Sequence, residues 1–336
     1  MIRTGTLHGH PVVWLENEAL QVAVLPAKGA DIYQLVHRAS GVDFLYKTKG
    51  GLASPGASPA TSVIENYEGA WQELFPNTGD ACTVDGVPLP LHGEAALKPW
   101  DWWVVLDDAA EPALGLSVDV HAIPLHLERR MRLRQQPATL EIEETVANRG
   151  ERPANFVWGH HIMLGGTFLE AGCRYEPAAR TIVVPPEPKL PARARLAPGQ
   201  RSPWPWALAR EPGEPVDLRV IPGPEVQSHD EVYLTDLDQG AVVVTNPRLG
   251  LAFHLTWDAR VFGCLVMWQP FGGVDVWPWA DSYGVGVEPW TTPSNLAGAL
   301  AAGQALRLDP DEALTTALRI KIIEVGGESS GGPTTA

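Results

Sequence analysis

The chain is poor in cysteine and has no long apolar run, and each shortage excludes a class of protein. Its 336 residues include only three cysteines, Cys82, Cys173 and Cys264, with no C-x-x-C pair. This spacing argues against a disulfide framework and against a zinc knuckle. No stretch of about 18 apolar residues occurs, so no membrane-spanning helix is predicted. The N-terminus also lacks the apolar segment of a signal peptide, and we therefore expect a cytoplasmic protein.

Positive charge is scarcer than negative charge. The 25 Lys and Arg residues face 40 Asp and Glu residues, which gives a net charge of −15. Nucleic acids and anionic membranes are bound through Lys and Arg that neutralise phosphates, so neither is expected as a partner. One basic run covers residues 128–134, where Arg130, Arg132 and Arg134 alternate with apolar residues. That alternation predicts the outer face of a strand.

Helix signatures are few, whereas strand signatures recur along the chain. The 33 Gly and 31 Pro residues separate short runs of alternating or β-branched apolar residues, as in 20–25, 139–146, 241–245 and 251–257. Period-two alternation between turn residues is typical of antiparallel strands, and this spacing predicts an all-β fold, a large antiparallel β-sandwich. The best helix candidate is a short one near residues 312–316.

The proline-rich segment 185–215 bears on domain organisation. Proline removes backbone donors and is excluded from central strands, so the segment is either a linker between two domains or an excursion. We favour an excursion from a single domain spanning residues 1–325, because strand-like sequence of the same character resumes on both sides. Residues 326–336 are Gly, Ser, Thr and Pro with few others and are predicted to form a disordered tail.

Three short segments place ionisable groups beside glycine within apolar or aromatic sequence. They are Leu91-His92-Gly93-Glu94, Trp158-Gly159-His160-His161 and Gly286-Val287-Glu288-Pro289-Trp290. A His and a Glu that meet in one cleft can act as a general acid and a general base. Taken one at a time, unrelated polar residues on separate strands would be the simpler interpretation.

Local geometry refines these candidates. His160 and His161 are adjacent, so on a strand their side chains face opposite sides. Pro289 restricts Glu288 to an extended conformation. The apolar neighbours of Glu288 predict partial desolvation, which raises a carboxyl pKa toward the range useful for a base.

Aromatic residues and metal ligands suggest two further kinds of site. The 13 tryptophans fill a core or stack against a sugar, and Trp71, Trp268 and Trp290 are the candidates for the second role. His92, His160 or His161, and Glu288 are suitable zinc ligands by type. Their spacing is not a local metal signature such as H-E-x-x-H, so no metal is expected.

Together and in this order, the three segments resemble the aldose 1-epimerase (galactose mutarotase) family, over most of residues 8–325. Leu91-His92-Gly93 resembles the family's L-H-G motif, in which the His binds substrate. The second segment aligns His161, rather than His160, with the family's general acid. Glu288 aligns with its general base, and Asp230 is the best match for its Asp between acid and base.

The resemblance extends to a set of candidate binding residues. Asn77 lies where the family carries an Asn-Arg pair, but no Arg accompanies it here, so the sugar is not specified. The candidate substrate-binding residues are His92, Asp230, Asn77, His160 and Trp290. Of these, we expect His160 to point away from the cleft and to find a hydrogen-bond partner elsewhere.

The resemblance implies a fold, an activity and a partner. It implies a β-sandwich with one cleft, in which a small-molecule sugar changes between its α and β anomers. Glu288 would remove the proton from the O1 hydroxyl while His161 protonates the ring oxygen. No cofactor is implied, and the protein would be a monomer or homodimer. A sugar-binding or sugar-sensing protein without catalysis, or another carbohydrate isomerase, epimerase or lyase, remains an alternative on the same fold.

Overall fold

The computed structural model describes residues 1–55, 67–211 and 214–326, which are mostly β-strand. The expected tail therefore lies outside the described residues, except for Gly326. The first strands are β1 (Ile2–Leu7), β2 (His10–Glu16), β3 (Leu20–Leu25), β4 (Asp31–His37), β5 (Val42–Asp43), β6 (Trp71–Leu74), β7 (Cys82–Val84), β8 (Val87–Leu89), β9 (Asp101–Leu106), β10 (Ala113–Asp119), β11 (Leu125–Arg134) and β12 (Thr139–Asn148).

The remaining elements complete the sandwich and its loops. They are β13 (Ala154–Phe156), β14 (Gly159–Leu164), β15 (Arg174–Val183), β16 (Arg201–Pro203), β17 (Trp206–Leu208), β18 (Pro215–Asp217), β19 (Ser228–Asn246), β20 (Leu251–Trp257), β21 (Cys264–Phe271), β22 (Val285–Gly286), β23 (Glu288–Trp290), helix α1 (Leu296–Ala301), β24 (Leu306–Leu308) and β25 (Ala313–Glu324). Short 3₁₀ turns cover Ala95–Leu97, Pro191–Arg193 and Pro224–Val226.

Two antiparallel layers form the fold. The first layer runs β9-β10-β11-β12-β25-β20-β19-β15. The second runs β1-β2-β3-β4-β6-β14-β23-β21-β19. The long strand β19 joins them, since its first half pairs with β21 and its second half with β20. This is the large antiparallel β-sandwich that the sequence predicts.

The core lies between the layers and follows the period-two pattern. In β11, Leu127, Met131 and Leu133 are fully buried, whereas Arg130 is exposed. The expectation that Arg130 lies on the outer face of a strand is thereby confirmed. Burying an apolar side chain of this size contributes about 1.5–3 kcal/mol, so the inward positions dominate the stability of each strand.

The one expectation about a helix is wrong, and the helix that does form lies elsewhere. Residues 312–316 do not form a helix: β25 begins at Ala313, and Leu318 and Ile320 alternate inward. Strand pairing with β12 on one side and β20 on the other overrides the weak local helix propensity. The helix α1 was not foreseen, although Asn295 caps it by accepting the Gly298 N–H at 3.0 Å. No helix in the described ranges is long and apolar enough to cross a membrane.

Candidate active site

A cavity of about 340 Å³ opens on the outer face of the second layer. Strands β6, β14, β19, β21 and β23 each contribute a side chain that points away from the sandwich core. His92, His161 and Glu288 converge here from distant parts of the sequence, as the sequence analysis expects. The lining residues are Tyr67, Gln72, Leu74, Asp80, Leu91, His92, His161, Lys189, Leu190, His229, Glu231, Val266, Trp268, Val274, Val276, Trp279, Glu288 and Trp290.

His161 and Glu288 form the ionisable pair at the centre of the cavity. The His161 Nε2 lies 3.8 Å from the Glu288 Oε1, and the two side chains are 12% and 2% exposed. The imidazole of His92 lies 5.6 Å from that of His161, centre to centre. The indole of Trp268 lies 5.6 Å from His161 on another side. Aromatic walls therefore surround two groups that are close enough to act on adjacent atoms of one ligand.

His92 reaches the cavity from a strained turn. Its φ is +62° and that of Gly93 is +78°, and the His92 N–H donates to the Gly79 carbonyl at 3.0 Å. A Cβ atom on Gly93 would collide with the Phe75 carbonyl, so only glycine fits there. A non-glycine residue in the left-handed region costs about 1–3 kcal/mol and persists where the surroundings fix it, often at functional sites.

Burial controls the protonation of the cavity. Burial, together with the neighbouring His92, lowers the pKa of His161 to about 3. Burial and the charge of Lys189 lower the pKa of His92 to about 4. Burial and the charge of Glu231 raise the pKa of Glu288 well above its ordinary value. Burial therefore favours the neutral forms of both groups, with the proton of the His161–Glu288 pair on Glu288.

Many buried polar atoms that have no hydrogen-bond partner among the described residues belong to this cavity. They are the Tyr67 hydroxyl, Gln72 Oε1, His92 Nδ1, His161 Nδ1, His229 Nδ1, Glu288 Oε1 and Trp290 Nε1. An unsatisfied buried polar group costs about 1–3 kcal/mol. A cluster of such groups therefore favours a ligand that carries hydrogen-bond donors and acceptors in several directions. The apolar faces of the tryptophans call for C–H groups on the same ligand.

Sequence reasoning missed several lining residues. His229 and Glu231 face the cavity from β19, and the Trp268 indole N–H donates to the His229 Nε2 at 2.7 Å. Gln72 faces it from β6. The signal that could have found His229 and Glu231 is the alternation of β19, which turns residues two apart to the same side.

Three of the candidate substrate-binding residues do not line this cavity. Asp230 points to the other side of β19, where its Oδ1 accepts the Arg195 and Leu196 N–H groups at 3.0 Å each. Asn77 is buried and ties loops together by donating to the Asp80 and Pro90 carbonyls. His160 faces the sandwich core, as strand alternation requires. Trp290 does line the cavity.

His160 belongs to a buried ionic network between the two layers. Its ring nitrogens lie 3.3 Å from Glu73 and 3.1 Å from Glu144, and Arg129 bonds both carboxylates. Burial alone would lower the pKa of His160, but Glu73 and Glu144 outweigh it and raise that pKa. The Trp71 indole N–H points at the Nδ1 of His160 at 3.2 Å.

Three residues of the same network are of types that bind metal ions. Glu73, Glu144 and His160 offer atoms within 4.8 Å of one another. The guanidinium of Arg129 sits against the two carboxylates and lowers, with His160, the pKa of Glu144 against the effect of burial. The positive charge that a cation would supply is therefore already provided by the chain.

Comparison with known proteins places the chain in a family. A family model described as "Domain of unknown function (DUF4432)" matches residues 7–322. The chain belongs to the DUF4432 family. No curated protein matches its sequence.

Solved structures share the DUF4432 chain's fold at low identity. The Slr1438 protein from Synechocystis sp. PCC 6803 is 18% identical, with a TM-score of 0.69 over 95% of this chain and 99% of that one. A candidate aldose 1-epimerase from Klebsiella pneumoniae subsp. pneumoniae MGH 78578 is 15% identical, with a TM-score of 0.73 over 96% and 83%. A galactose mutarotase-like protein from Lactobacillus casei ATCC 334 is 15% identical, with a TM-score of 0.63 over 93% and 100%. The chain therefore has the galactose mutarotase-like β-sandwich fold.

Proposed function

We propose that the protein is an aldose 1-epimerase that interconverts the α and β anomers of a sugar. The observation that carries the proposal is the 3.8 Å separation of His161 Nε2 and Glu288 Oε1 inside a cavity with tryptophan walls. The O1 hydroxyl and the ring oxygen are bonded to the same carbon. Two groups that exchange protons with both oxygens must therefore lie side by side, as these two do.

The reaction balances with a single proton on the pair. One member takes the proton of the O1 hydroxyl while the other protonates the ring oxygen, and the C1–O5 bond breaks to give the open-chain aldehyde. Rotation about C1–C2 and reclosure on the other face reverse both transfers. No group is oxidised or reduced, and the pair ends with the proton count with which it began.

The resting distribution of that proton adds a step. The family resemblance assigns the base to Glu288 and the acid to His161, whereas burial favours a protonated Glu288 and a neutral His161. Transfer of the proton from Glu288 to His161 across the pair generates the assigned form. His92 Nδ1 and Trp290 Nε1 are buried and have no hydrogen-bond partner in the described part of the chain, and both are proposed to bind sugar hydroxyls. Trp268 and Trp279 are proposed to flank the C–H faces.

Anomer exchange by NMR tests the proposal. The wild-type protein should accelerate the exchange of freshly dissolved aldoses, and His161→Asn should slow it by about 10²–10⁴-fold, the contribution of one positioned acid or base. His254→Asn is the matched control, because His254 lies on β20 away from the cavity, and it should exchange at the wild-type rate. A wild-type protein that binds sugars without accelerating their exchange would instead favour the sugar-binding alternative.

A further inference from the structure

A second cavity, also of about 340 Å³, adjoins the first beneath the proline-rich excursion. The two cavities share Asp80, Lys189, His229 and Glu231. Neither His161 nor Glu288 lines the second one. It therefore begins on the side of the first cavity that lies away from the acid–base pair. Each volume is near the small end of the range for ligand pockets, about 300–1,000 Å³.

The edge of strand β19 forms one wall of this second cavity. Strand β15 pairs with β19 only as far as Val183, opposite Tyr233. Beyond that point the excursion curves away, and within the described residues no strand pairs with that side of 229–232. The space between the strand edge and Pro185, Pro186 and Leu196 is the second cavity.

Asp230 supplies a built acceptor in this wall. The residue is 4% exposed, and backbone N–H groups of the excursion hold its Oδ1 in place at 3.0 Å. Its Oδ2 is buried and has no hydrogen-bond partner among the described residues, and the nearest cationic atom, Arg195 Nε, is 3.7 Å away. A carboxylate oxygen fixed in this way suits a hydroxyl donor, because hydrogen bonds to charged groups are the strong ones.

The boundary between the cavities is crossed by a weak contact. Lys189 Nζ lies 2.6 Å from Asp80 Oδ1, and the two side chains are 52% and 64% exposed. Exposed ion pairs of this kind contribute little to stability, so a ligand that spans both cavities displaces the pair at little cost. The remaining charged groups of the second cavity, Glu187, Asp230 and Glu231, are acidic and disfavour an anionic ligand.

We propose that the second cavity is a subsite for a second, neutral sugar unit, so that the substrate is a reducing disaccharide whose reducing unit occupies the first cavity. This inference rests on the proposed function. The anomeric carbon lies at His161 and Glu288, and the linkage leaves the first cavity between His229 and Glu231. The second unit places a hydroxyl on Asp230 Oδ2 and its C–H face on the prolines.

Calorimetry with paired sugars tests the subsite. Wild-type affinity for maltose, cellobiose, lactose and melibiose is compared with that for glucose, the reducing unit of all four. At least one disaccharide should bind about tenfold more tightly than glucose. Asp230→Asn, which keeps an acceptor for the backbone N–H groups but replaces the free oxygen by an amide nitrogen, should lower that ratio about tenfold. A hydrogen bond to a charged group is among the stronger kinds, and losing one is enough to account for a tenfold change.

Two further variants guard against a trivial result. Asp238→Asn alters an exposed Asp on the same strand, which pairs with Arg180, and should leave the ratio unchanged. Pro186→Trp fills the second cavity from an exposed loop position and should lower the ratio even if Asp230→Asn fails to fold. A ratio near one in the wild type, or one that neither cavity variant changes, would overturn the subsite.

The outcome also separates this inference from the proposed function. A protein that exchanges the anomers of no sugar, yet binds a disaccharide more tightly than glucose in a manner that depends on Asp230, retains the subsite and loses the epimerase. A protein that exchanges glucose anomers but shows no preference for any disaccharide retains the epimerase and loses the subsite.

Discussion

At the scale of single residues, two adjacent histidines have opposite environments. His160 lies between Glu73 and Glu144 within the sandwich, which raises its pKa. His161 lies in the outer cavity, where burial and His92 lower its pKa to about 3. The same strand thus holds two neighbouring imidazoles whose pKa values are shifted in opposite directions.

Nitrogen-15 NMR of the imidazole side chains at pH 7 checks this assignment. We expect His161 to show one protonated and one unprotonated ring nitrogen, and His160 to be the more protonated of the two residues. The two residues serve as each other's control, since they are neighbours in one strand. A cationic His161 in the free protein would contradict the proposed resting state, in which Glu288 holds the proton.

At the scale of elements, strand alternation separates stability from chemistry. Strand β6 turns Glu73 inward and Gln72 outward, and β14 does the same with its two histidines. The inward residues form the network with Arg129, and the outward ones line the cavity. Substitutions on the inward face are therefore expected to affect stability, and substitutions on the outward face to affect ligand binding and catalysis.

Arg129 and its neighbour Arg130 on β11 provide a matched pair. Arg129→Met leaves Glu73 and Glu144 buried without their guanidinium and should lower the free energy of unfolding by about 3–5 kcal/mol. Arg130→Met removes an exposed side chain that pairs with Glu128 and should change it by less than about 0.5 kcal/mol. Urea unfolding measures the free energy of unfolding of both variants. Equal losses for Arg129→Met and Arg130→Met would show that the buried network contributes no net stability.

At the scale of the whole molecule, the buried neutral histidines link stability to pH. The pKa of His92 falls from 6.5 to about 4 on folding because the residue is buried near Lys189. The unfolded chain takes up this proton as the pH drops below about 6.5, while the folded protein does not until about pH 4. Proton uptake by His92 in the unfolded chain therefore lowers the free energy of unfolding as the pH falls from about 6.5 to 4. Above about pH 6.5 this loss of stability is absent.

Comparison of the wild type with His92→Asn isolates this effect, and Asn tolerates the left-handed backbone of residue 92. As the pH falls from 6.5 to 4, the wild type should lose about 1.4 kcal/mol more unfolding free energy per pH unit than His92→Asn does. Urea unfolding at several pH values gives the slope. Parallel curves for the two proteins over this window would show that His92 titrates normally in the folded state.

Much of this architecture was predictable from the sequence, and the exceptions have physical causes. Period-two runs such as 139–146 specify strands directly, and the glycines and prolines specify their ends. Residues 312–316 were misassigned because pairing with two neighbouring strands outweighs local propensity. His92, Glu288 and the His160–His161 pair stand out because each lies in an unusual apolar or glycine context, and the family resemblance selects His161 from the pair. That residues 1–325 form a single domain stays a prediction.

The remaining site residues depend on the register of strands, which the sequence does not show. The family resemblance points to Asp230, whereas its neighbours His229 and Glu231 line the cavity. Which side of β19 faces the cavity depends on pairing with β21. Asn77 was chosen by position, although its amide hydrogen bonds hold loops. Arg129 was overlooked because its partners Glu73 and Glu144 lie on two other strands.

The central claim is that Glu288 exchanges a proton with the sugar at the anomeric carbon, and one pair of measurements on Glu288→Gln tests it most directly. The amide keeps the size of the side chain but takes no part in proton transfer. The exchange rate by NMR should fall about 10²–10⁴-fold, while sugar affinity by calorimetry should change less than about threefold, because the carboxyl acts mainly in the transition state. An unchanged exchange rate on a sugar that the wild type accepts would contradict the account.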